Sequence, residues 1–433
     1  MPASLPQPPT SEPPIAEPPT SAPPLSELQR AAIGAAVARH AAGLVELRRD
    51  LHAHPELSHA ERRTTEVIRA RLFAAGLQPV VLANGTGLTC DLGADLGADL
   101  GADLGAAPDG GTLVALRADL DALPVADEKD VPYRSTVAGR CHACGHDVHT
   151  AVVVGAGLVL AELAAAGLLE GRVRLIFQPA EEATPGGALD VMAAGGLDGV
   201  GRIFTVHCDP RHDVGTVGLR VGPITGSADH VLVRLTGPGG HTARPHLTAD
   251  LVYALGRVIT DVPAVLSRRV DPRAGLSLVW GRVQAGAAAN AIPRTGEVDG
   301  TVRALDATVW ELAPGIVEDA IRGVVEPYGV GVEIDYRRGV PPVVNEAVSV
   351  ERLAQAASEL VSDTSVFETE QSLGGEDFAW YLGQVPGALA RLGVRRPGDP
   401  LSHDLHQGSF DVDERAIQVG VRLLVGAALL SVS

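Results

Sequence analysis

The sequence predicts an α/β fold in which a second, smaller domain is inserted into the first. The chain has 433 residues, more than one ordinary hydrophobic core accommodates, and 45% of them are apolar. Apolar strand patterns alternate with apolar helical patterns over the first half, which favours a largely parallel sheet. Residues 230–336 instead follow the β-α-β-β-α-β order of a ferredoxin-like unit.

The larger domain is predicted from segments on both sides of this insertion. Helical spacing of Ala and Leu runs over residues 25–52, and a second helix is predicted at 150–169. Short buried strands are predicted at 112–117 and 173–177. The chain is expected to return to this domain from Gly339 onward.

Alternating strand and helix patterns define the inserted domain. Its predicted strands and helices, in chain order, cover residues 230–236, 249–267, 277–284, 296–304, 309–325 and 331–336. We therefore place the larger domain at residues 26–228 and 339–433, and the inserted domain at 229–338.

Two segments are predicted to lie outside the packed core. Residues 1–25 are rich in Pro, Ser and Glu, which indicates a disordered tail. Residues 91–105 contain a tandem Gly-Ala-Asp-Leu repeat, whose four-residue period fits neither a strand nor a known solenoid. We interpret the repeat as a low-complexity expansion of a surface loop, with a calcium-binding repeat as the alternative.

Charge and cysteine content exclude several protein classes. The formal net charge of -18 disfavours nucleic-acid binding, because phosphate backbones would be repelled. Four cysteines in so long a chain do not form a disulfide framework, which predicts a reducing, cytoplasmic location. We expect neither a membrane span of about 18 apolar residues nor a secretory signal.

The strongest chemical signal is the ten-residue stretch 140–149, Arg-Cys-His-Ala-Cys-Gly-His-Asp-Val-His. Its density of histidine and cysteine before an apolar helix favours a metal site, although a redox C-x-x-C pair is an alternative. Cys144 and His146 flank one glycine, so their side chains can converge on one ion. A structural zinc site needs four closed ligands. Because no second C-x-x-C pair exists, a catalytic site is favoured.

Carboxylate pairs follow two of the predicted strands. Glu181 and Glu182 come directly after the strand at 173–177, at the edge where α/β sheets place their ligands. One can bind metal while its neighbour holds a water molecule; a solvated surface pair is the alternative. Asp119 and Asp121 follow the strand at 112–117 and can bind a cation, orient ligating imidazoles, or simply cap a turn.

The remaining candidates are single residues spread along the chain. His207 ends an apolar stretch, and His406 lies far downstream. In the inserted domain, His241 follows two glycines that permit close approach to a ligand. Asn290 and Arg303 lie on or near strands of the same domain; a guanidinium pairs well with a substrate carboxylate, but an ordinary surface arginine is equally compatible with the pattern.

Together these segments resemble the M20 family of metallopeptidases, in particular its branch of N-acyl-amino-acid, hippurate and auxin-conjugate amidohydrolases. The resemblance covers residues from about 35 to 430, outside the tail and the repeat. Its motifs occur in the expected order, at residues 48–56, 117–124, 143–147, 178–182, 207, 239–246, 290–293, 375–378 and 405–406.

The resemblance implies a zinc-peptidase-like catalytic domain with a ferredoxin-like lid through which two copies form a homodimer. It assigns as metal ligands Cys144, His146, Glu182, His207 and His406, and it places Asp119 and Asp121 near the metals. It assigns Glu181 as the general base. It assigns as residues that contact substrate His241, Asn290 and Arg303.

The activity implied by the resemblance is hydrolysis of an N-acyl amino acid with two divalent metal ions, zinc being favoured over manganese, cobalt or nickel. A dipeptidase or carboxypeptidase of the same family, and a metal-binding protein without activity, are the alternatives. Cys141 departs from the branch pattern, which usually has methionine or a similar apolar residue there. The residues after His207 and His406 depart as well, and they bear on the acyl-group preference.

Overall fold

The computed structural model describes residues 22–93, 113–399 and 403–432. The strands, in chain order, are β1 (Val80–Val81), β2 (Leu88–Gly93), β3 (Leu113–Asp119), β4 (Arg172–Gln178), β5 (Val200–Asp213), β6 (Val217–Leu219), β7 (Gly222–Pro223), β8 (Ala228–Thr236), β9 (Gly240–His241), β10 (Ser277–Ala285), β11 (Ala291–Ile292), β12 (Thr295–Arg303), β13 (Gly331–Val340), β14 (Val344–Asn345), β15 (Val366–Glu368) and β16 (Gly387–Arg395). The α-helices are α1 (Glu27–Ala53), α2 (Arg62–Ala74), α3 (His146–Ala165), α4 (Ala188–Ala193), α5 (Leu251–Arg269), α6 (Ala307–Val325), α7 (Ala347–Leu360), α8 (Ala379–Leu382) and α9 (Arg415–Val432).

An eight-stranded sheet forms the larger domain, in the order β1-β2-β4-β3-β5-β16-β6-β15. Its four central strands, β4, β3, β5 and β16, are parallel, whereas β1, β2 and the β16–β6 pair are antiparallel. Helices α1, α3, α7 and α9 contribute to the core on one face, and α4 and α8 to a core on the other. The predicted α/β fold is confirmed, and its sheet is mixed because antiparallel strands are added on both sides.

The carboxyl ends of the central parallel strands determine where the chemistry lies. β3 ends at Asp119 and β4 ends at Gln178, three residues before Glu181. β16 follows the insertion in sequence yet pairs with β5 inside the main sheet. The chain therefore returns to the larger domain after the insertion.

The inserted segment forms its own four-stranded antiparallel sheet, in the order β10-β12-β8-β13. Val231, Val233 and Leu235 alternate along β8 and pack beneath α5 and α6 in a separate hydrophobic core. This is the ferredoxin-like arrangement that the sequence predicts. A short two-stranded ribbon, β9–β11, extends from it.

Both segments predicted to lie outside the core are shorter than expected. Ala22 and Leu25, at the end of the predicted tail, are only 7% and 5% exposed, and the amide of Leu25 donates to Glu359 of α7. Residues 91–93 complete β2, where the carboxylate of Asp91 accepts from Arg174 at 2.7 Å. The rest of the predicted tail (1–21) and of the repeat (94–105) lies outside the described residues.

Within the described residues, two helices, α3 and α9, are long and apolar enough to cross a membrane, which differs from the expectation that the chain contains no such span. In each, 78% of the apolar window is buried inside the fold. Both pack on the main sheet in one hydrophobic core, which accounts for their composition.

Candidate metal centre and active site

A glycine turn places the side chains of Cys144 and His146. Gly145 has a φ of 89° and precedes the first residue of α3, His146. A β-carbon at Gly145 would lie 2.7 Å from the sulfur of Cys208, so both backbone angle and space require glycine. The thiol of Cys144 then lies 3.6 Å from Nε2 of His207, which is in the middle of β5.

The two adjacent glutamates are held by one carboxylate. The backbone amides of Glu181 and Glu182 donate to Oδ1 and Oδ2 of Asp121 at 3.0 and 2.9 Å. The preceding residue, Ala180, has a left-handed φ of 55°, a conformation unfavourable for a residue with a β-carbon. This turn brings a carboxylate oxygen of each glutamate to 3.9 Å from Nε2 of His146.

The five predicted ligands converge. Cys144, His146 and His207 offer ligand atoms that lie within 4.8 Å of one another, as do Cys144, Glu182 and His406. Cys144, Glu182, His207 and His406 line a cavity of about 320 Å³ together with Glu181. The larger domain therefore gathers the predicted ligands and the predicted base in one place.

Hydrogen bonds determine which ring nitrogen of each histidine is free. Nδ1 of His146 donates to the carbonyl of Asp121, and Nδ1 of His207 to that of Cys208, each at 2.8 Å. The Nε2 lone pair of both rings is therefore available to a metal. In His149, by contrast, Nδ1 bonds the carboxylate of Asp119 at 2.7 Å and Nε2 accepts from the amide of Cys208, so neither nitrogen is free.

These residues fit divalent metal ions. Nε2 of His146 and Oε1 of Glu182 are buried and have no hydrogen-bond partner within the described ranges. Unpaired buried polar atoms are costly, and a metal would satisfy both. Thiolate, imidazole and carboxylate together suit zinc and the neighbouring transition metals.

The electrostatic environment also suits a cation. Burial raises the pKa of the Cys144 thiol, so its thiolate requires a nearby positive charge. The pKa of His207 is held well below its ordinary value, mainly by burial and next by the nearby guanidinium of Arg391. The imidazole is therefore neutral, as a metal ligand must be. Burial and the neighbouring carboxylates of Glu376 and Glu182 raise the pKa of Glu181 well above its ordinary range.

Asp119 and Asp121 act on their surroundings in different ways. Asp121 holds the glutamate turn and also accepts from the hydroxyl of Ser58 at 2.7 Å. Asp119 accepts from Arg117 and His149, and its Oδ2 lies 3.8 Å from Nε2 of His146. Asp119 therefore lies beside the predicted ligand His146, whereas Asp121 holds the backbone of Glu181 and Glu182.

The residues of the inserted domain that are predicted to contact substrate lie in two different places. Arg303 lines the same cavity as Glu181. Asn290 and His241 are exposed on the β9–β11 ribbon, where Thr242 donates to the carbonyl of Asn290 at 3.3 Å. Among the residues that the structure describes, those lining the cavity include neither His241 nor Asn290.

Several residues at the site were not predicted from the sequence to have a role there. Arg48 forms an ion pair with the carboxylate of Asp147, next to His146, at 2.8 Å, and Nδ1 of His52 is hydrogen-bonded to the same carboxylate at 2.7 Å. Their conspicuous motif at residues 48–56 was the available signal. Arg391 lines the cavity from β16, and a single arginine in an apolar strand gave no signal that could have identified it.

Comparison with known proteins supports this architecture. The model of peptidase family M20/M25/M40 matches residues 115–430, well over half of the chain. An N-acetylcysteine deacetylase of Bacillus subtilis (strain 168) is 34% identical, over 89% of this chain and 96% of that protein. The crystal structure of the Bacillus subtilis YXEP protein, described as a dinuclear metal-binding peptidase from the M20 family, superposes with a TM-score of 0.76 at 32% identity. That match covers 92% of this chain and 98% of that one.

A further relative differs in length. A Rhodococcus jostii (strain RHA1) protein, provisionally named as glutamate–cysteine ligase 2-3, is 51% identical over 89% of this chain. This chain spans only 46% of that protein, and the ligase name belongs to the whole of it. The matched family model, the full-length relatives and the dinuclear metal-binding fold agree: this chain is a hydrolase that belongs to peptidase family M20/M25/M40.

Proposed function

We propose that this chain hydrolyses the amide bond of N-acyl amino acids and releases a carboxylic acid and a free amino acid. The observation that carries the proposal is the placement of Glu181 beside five groups that fit two divalent ions. Ions bound by Cys144, His146, Glu182, His207 and His406 would activate water and polarise the amide carbonyl. Similarity to an N-acetylcysteine deacetylase supports an acylated amino acid as substrate.

Each of the chain's own groups has a role in this reaction. Glu181, with its raised pKa, accepts a proton from the attacking water and delivers it to the leaving amine. Arg303 binds the carboxylate of the amino acid, whose two oxygens match the planar guanidinium. His241 donates to the oxyanion that develops on the amide carbonyl, and Asn290 binds beside the amino-acid carboxylate.

We further propose that the protein functions as a homodimer through the lid. Large apolar side chains just before and at the start of α5 and on the edge strand β10 are 50–70% exposed; they are Leu247, Val252, Tyr253, Val279 and Val283. A second copy packed against this edge of the inserted domain would cover them. His241 and Asn290, which lie outside the cavity of their own chain, would then reach the cavity of the other.

For the metal we propose zinc, with manganese, cobalt and nickel as alternatives of similar ligand preference. We propose a cytoplasmic location, which agrees with four buried cysteines that form no disulfide among the described residues. Metal analysis of the purified protein and cell fractionation test these two points.

A dipeptidase or carboxypeptidase activity is the alternative within the family. It would need an acidic group free to bind the substrate's ammonium. The carboxylates of Glu376 and Asp377 line the cavity, but both pair with Arg117, at 3.2 and 2.8 Å. This pairing favours a neutral acyl linkage over a free amino terminus.

A substrate panel tests the proposal. N-acetyl and N-benzoyl amino acids and dipeptides would be assayed with zinc, manganese, cobalt and nickel in turn. We expect higher kcat/KM for the acylated amino acids than for dipeptides of the same amino acid. Preference for dipeptides would support the alternative, and no turnover with any metal would contradict both.

A further inference from the structure

Arg391 lies inside the cavity of the metal centre. It is in β16, directly opposite His207 of β5 in the register of the sheet. Its side chain is only 7% exposed, yet it lines the same cavity as Cys144, Glu181 and Arg303. The cavity therefore contains two guanidinium groups, one from the main sheet and one from the lid.

Among the residues that the structure describes, the guanidinium of Arg391 has no protein partner. Within the described part of the chain it makes no salt bridge or hydrogen bond, and its buried Nε is unsatisfied. The carboxylates that act on it electrostatically are Asp209 and Glu376. Asp209 is engaged by Arg211 at 2.7 Å and Glu376 by Arg117 at 3.2 Å.

An unpaired buried charge is destabilising, and arginine does not relieve it by losing its proton. Leu389, two residues earlier on the same face of β16, is fully buried and apolar, so an apolar side chain would suit this face of the strand. Divalent ions at the adjacent ligands would add further positive charge. The arrangement is therefore incomplete without an anion, and a planar guanidinium best matches a carboxylate.

We propose that Arg391 binds a second carboxylate of the substrate, distinct from the one bound by Arg303. This inference rests on the proposed amidohydrolase function and narrows it to dianionic N-acyl amino acids. The second carboxylate belongs either to a dicarboxylic acyl group or to an acidic amino-acid side chain. Either source presents a carboxylate to Arg391, and the experiment distinguishes the acyl group from the amino-acid side chain.

The test compares paired substrates of which only one member carries the second carboxylate. N-succinyl-alanine is paired with N-butanoyl-alanine, and N-acetyl-glutamate with N-acetyl-glutamine. Each pair is assayed with the metal-loaded wild type and with Arg391→Leu, Arg391→Gln and Arg391→Lys. Arg395→Gln is the control: it removes an arginine from the same strand that pairs with Asp213 and does not line this cavity.

We expect the wild type to prefer one dianionic substrate over its partner by at least about 10-fold in kcat/KM, since a charged hydrogen bond typically contributes that much. Assayed at about pH 8 with saturating metal, where the imidazole of His207 is neutral without help from the guanidinium, Arg391→Leu and Arg391→Gln should reduce this ratio to near one. Arg391→Lys should keep part of the preference, and Arg395→Gln all of it. The preferred pair identifies the side of the amide that carries the second carboxylate.

Other results would overturn the inference. A wild type without preference in either pair, or a preference unchanged in Arg391→Leu and Arg391→Gln, would exclude a carboxylate at Arg391. If an Arg391 variant retains its metal but loses activity equally towards both members of a pair, Arg391 acts on the reacting amide that both substrates share and not on a second carboxylate. If metal-loaded wild type hydrolyses none of the four compounds but does hydrolyse an N-benzoyl amino acid, the second-carboxylate inference fails alone. If it hydrolyses no N-acyl amino acid at all, the proposed function itself fails.

Discussion

Nε2 of His406 lies 3.4 Å from Oε1 of Glu182, and no hydrogen bond joins them. His406 has a left-handed φ of 64°, which is costly for a residue with a β-carbon and is typically retained at functional sites. Two potential ligand atoms thus face each other at ion-pair distance without the geometry of a hydrogen bond. This arrangement is expected if one cation normally lies between them.

Replacement of Glu181 by Gln tests its role as general base. The variant should lose at least about 10²-fold in kcat, because a general base contributes roughly that much or more. Its metal content should equal that of wild type, since the ligand set is intact. Glu182→Gln is the matched control and should lose metal. If Glu181→Gln loses metal and Glu182→Gln does not, the two roles are reversed.

Chelation should abolish activity, and a divalent ion added afterwards should restore it. Activity should also fall in acid, because the imidazoles of His146, His207 and His406 and the thiol of Cys144 must be deprotonated to bind metal. Metal content measured alongside activity should fall over the same pH range. Full activity of a metal-free sample would contradict the whole mechanism.

Deletion of residues 1–25 should lower the melting temperature by several degrees. The deletion removes the buried side chain of Leu25 and the carbonyl of Ala22, which accepts from Gln355 at 3.1 Å. Leu25→Ala in the full chain should reproduce most of the loss. Deletion of residues 1–21 alone should have little effect, as expected from its composition. Equal melting temperatures for both deletions would show that residues 22–25 contribute nothing.

Glu61 should make stability depend on pH. It is buried and accepts from the amides of Ala180 and His59, and burial raises its pKa to about 7. An acid with a raised pKa in the folded state stabilises the fold below its unfolded pKa and loses that contribution as pH rises through the folded value. Glu61→Gln should therefore gain stability relative to wild type between about pH 4.5 and 8, on the order of 2 kcal/mol.

Chemical denaturation of the two proteins at each pH, with the same metal supply, measures this difference. The sign of the difference in unfolding free energy is the decisive result. If the ionised carboxylate of Glu61 stabilised the fold, the variant would be less stable than wild type at high pH. A difference that does not change with pH would show that Glu61 does not titrate in this range.

Hybrid dimers test whether His241 acts on the partner's site. His241→Ala and Glu181→Gln should each be nearly inactive, but a mixed dimer has one site with both residues intact. Random reassembly makes about half of the dimers mixed, so roughly a quarter of wild-type activity should return. No recovery, although mixed dimers are shown to form, would mean that His241 acts within its own chain or not at all.

Much of this protein could be predicted from local sequence. Apolar periodicity located the strands and helices of the inserted domain to within a few residues, because alternation and helical spacing are short-range properties. The Cys144–His146 turn and the Glu181–Glu182 pair were identified because their residue types and spacing are chemically unusual. Their convergence was expected from the edge that the carboxyl ends of parallel strands share.

The tertiary structure alone decided which of these groups are free and which are paired. His149 belongs to the same motif as His146, but contacts with Asp119 and Cys208 use both of its nitrogens. Arg391 has no local signal, and its unpaired charge depends on Arg211 and Arg117 having engaged the nearby carboxylates. Hydrogen-bond partners and burial come from segments distant in sequence, so local pattern determines which elements form, whereas packing determines which side chains remain available for chemistry.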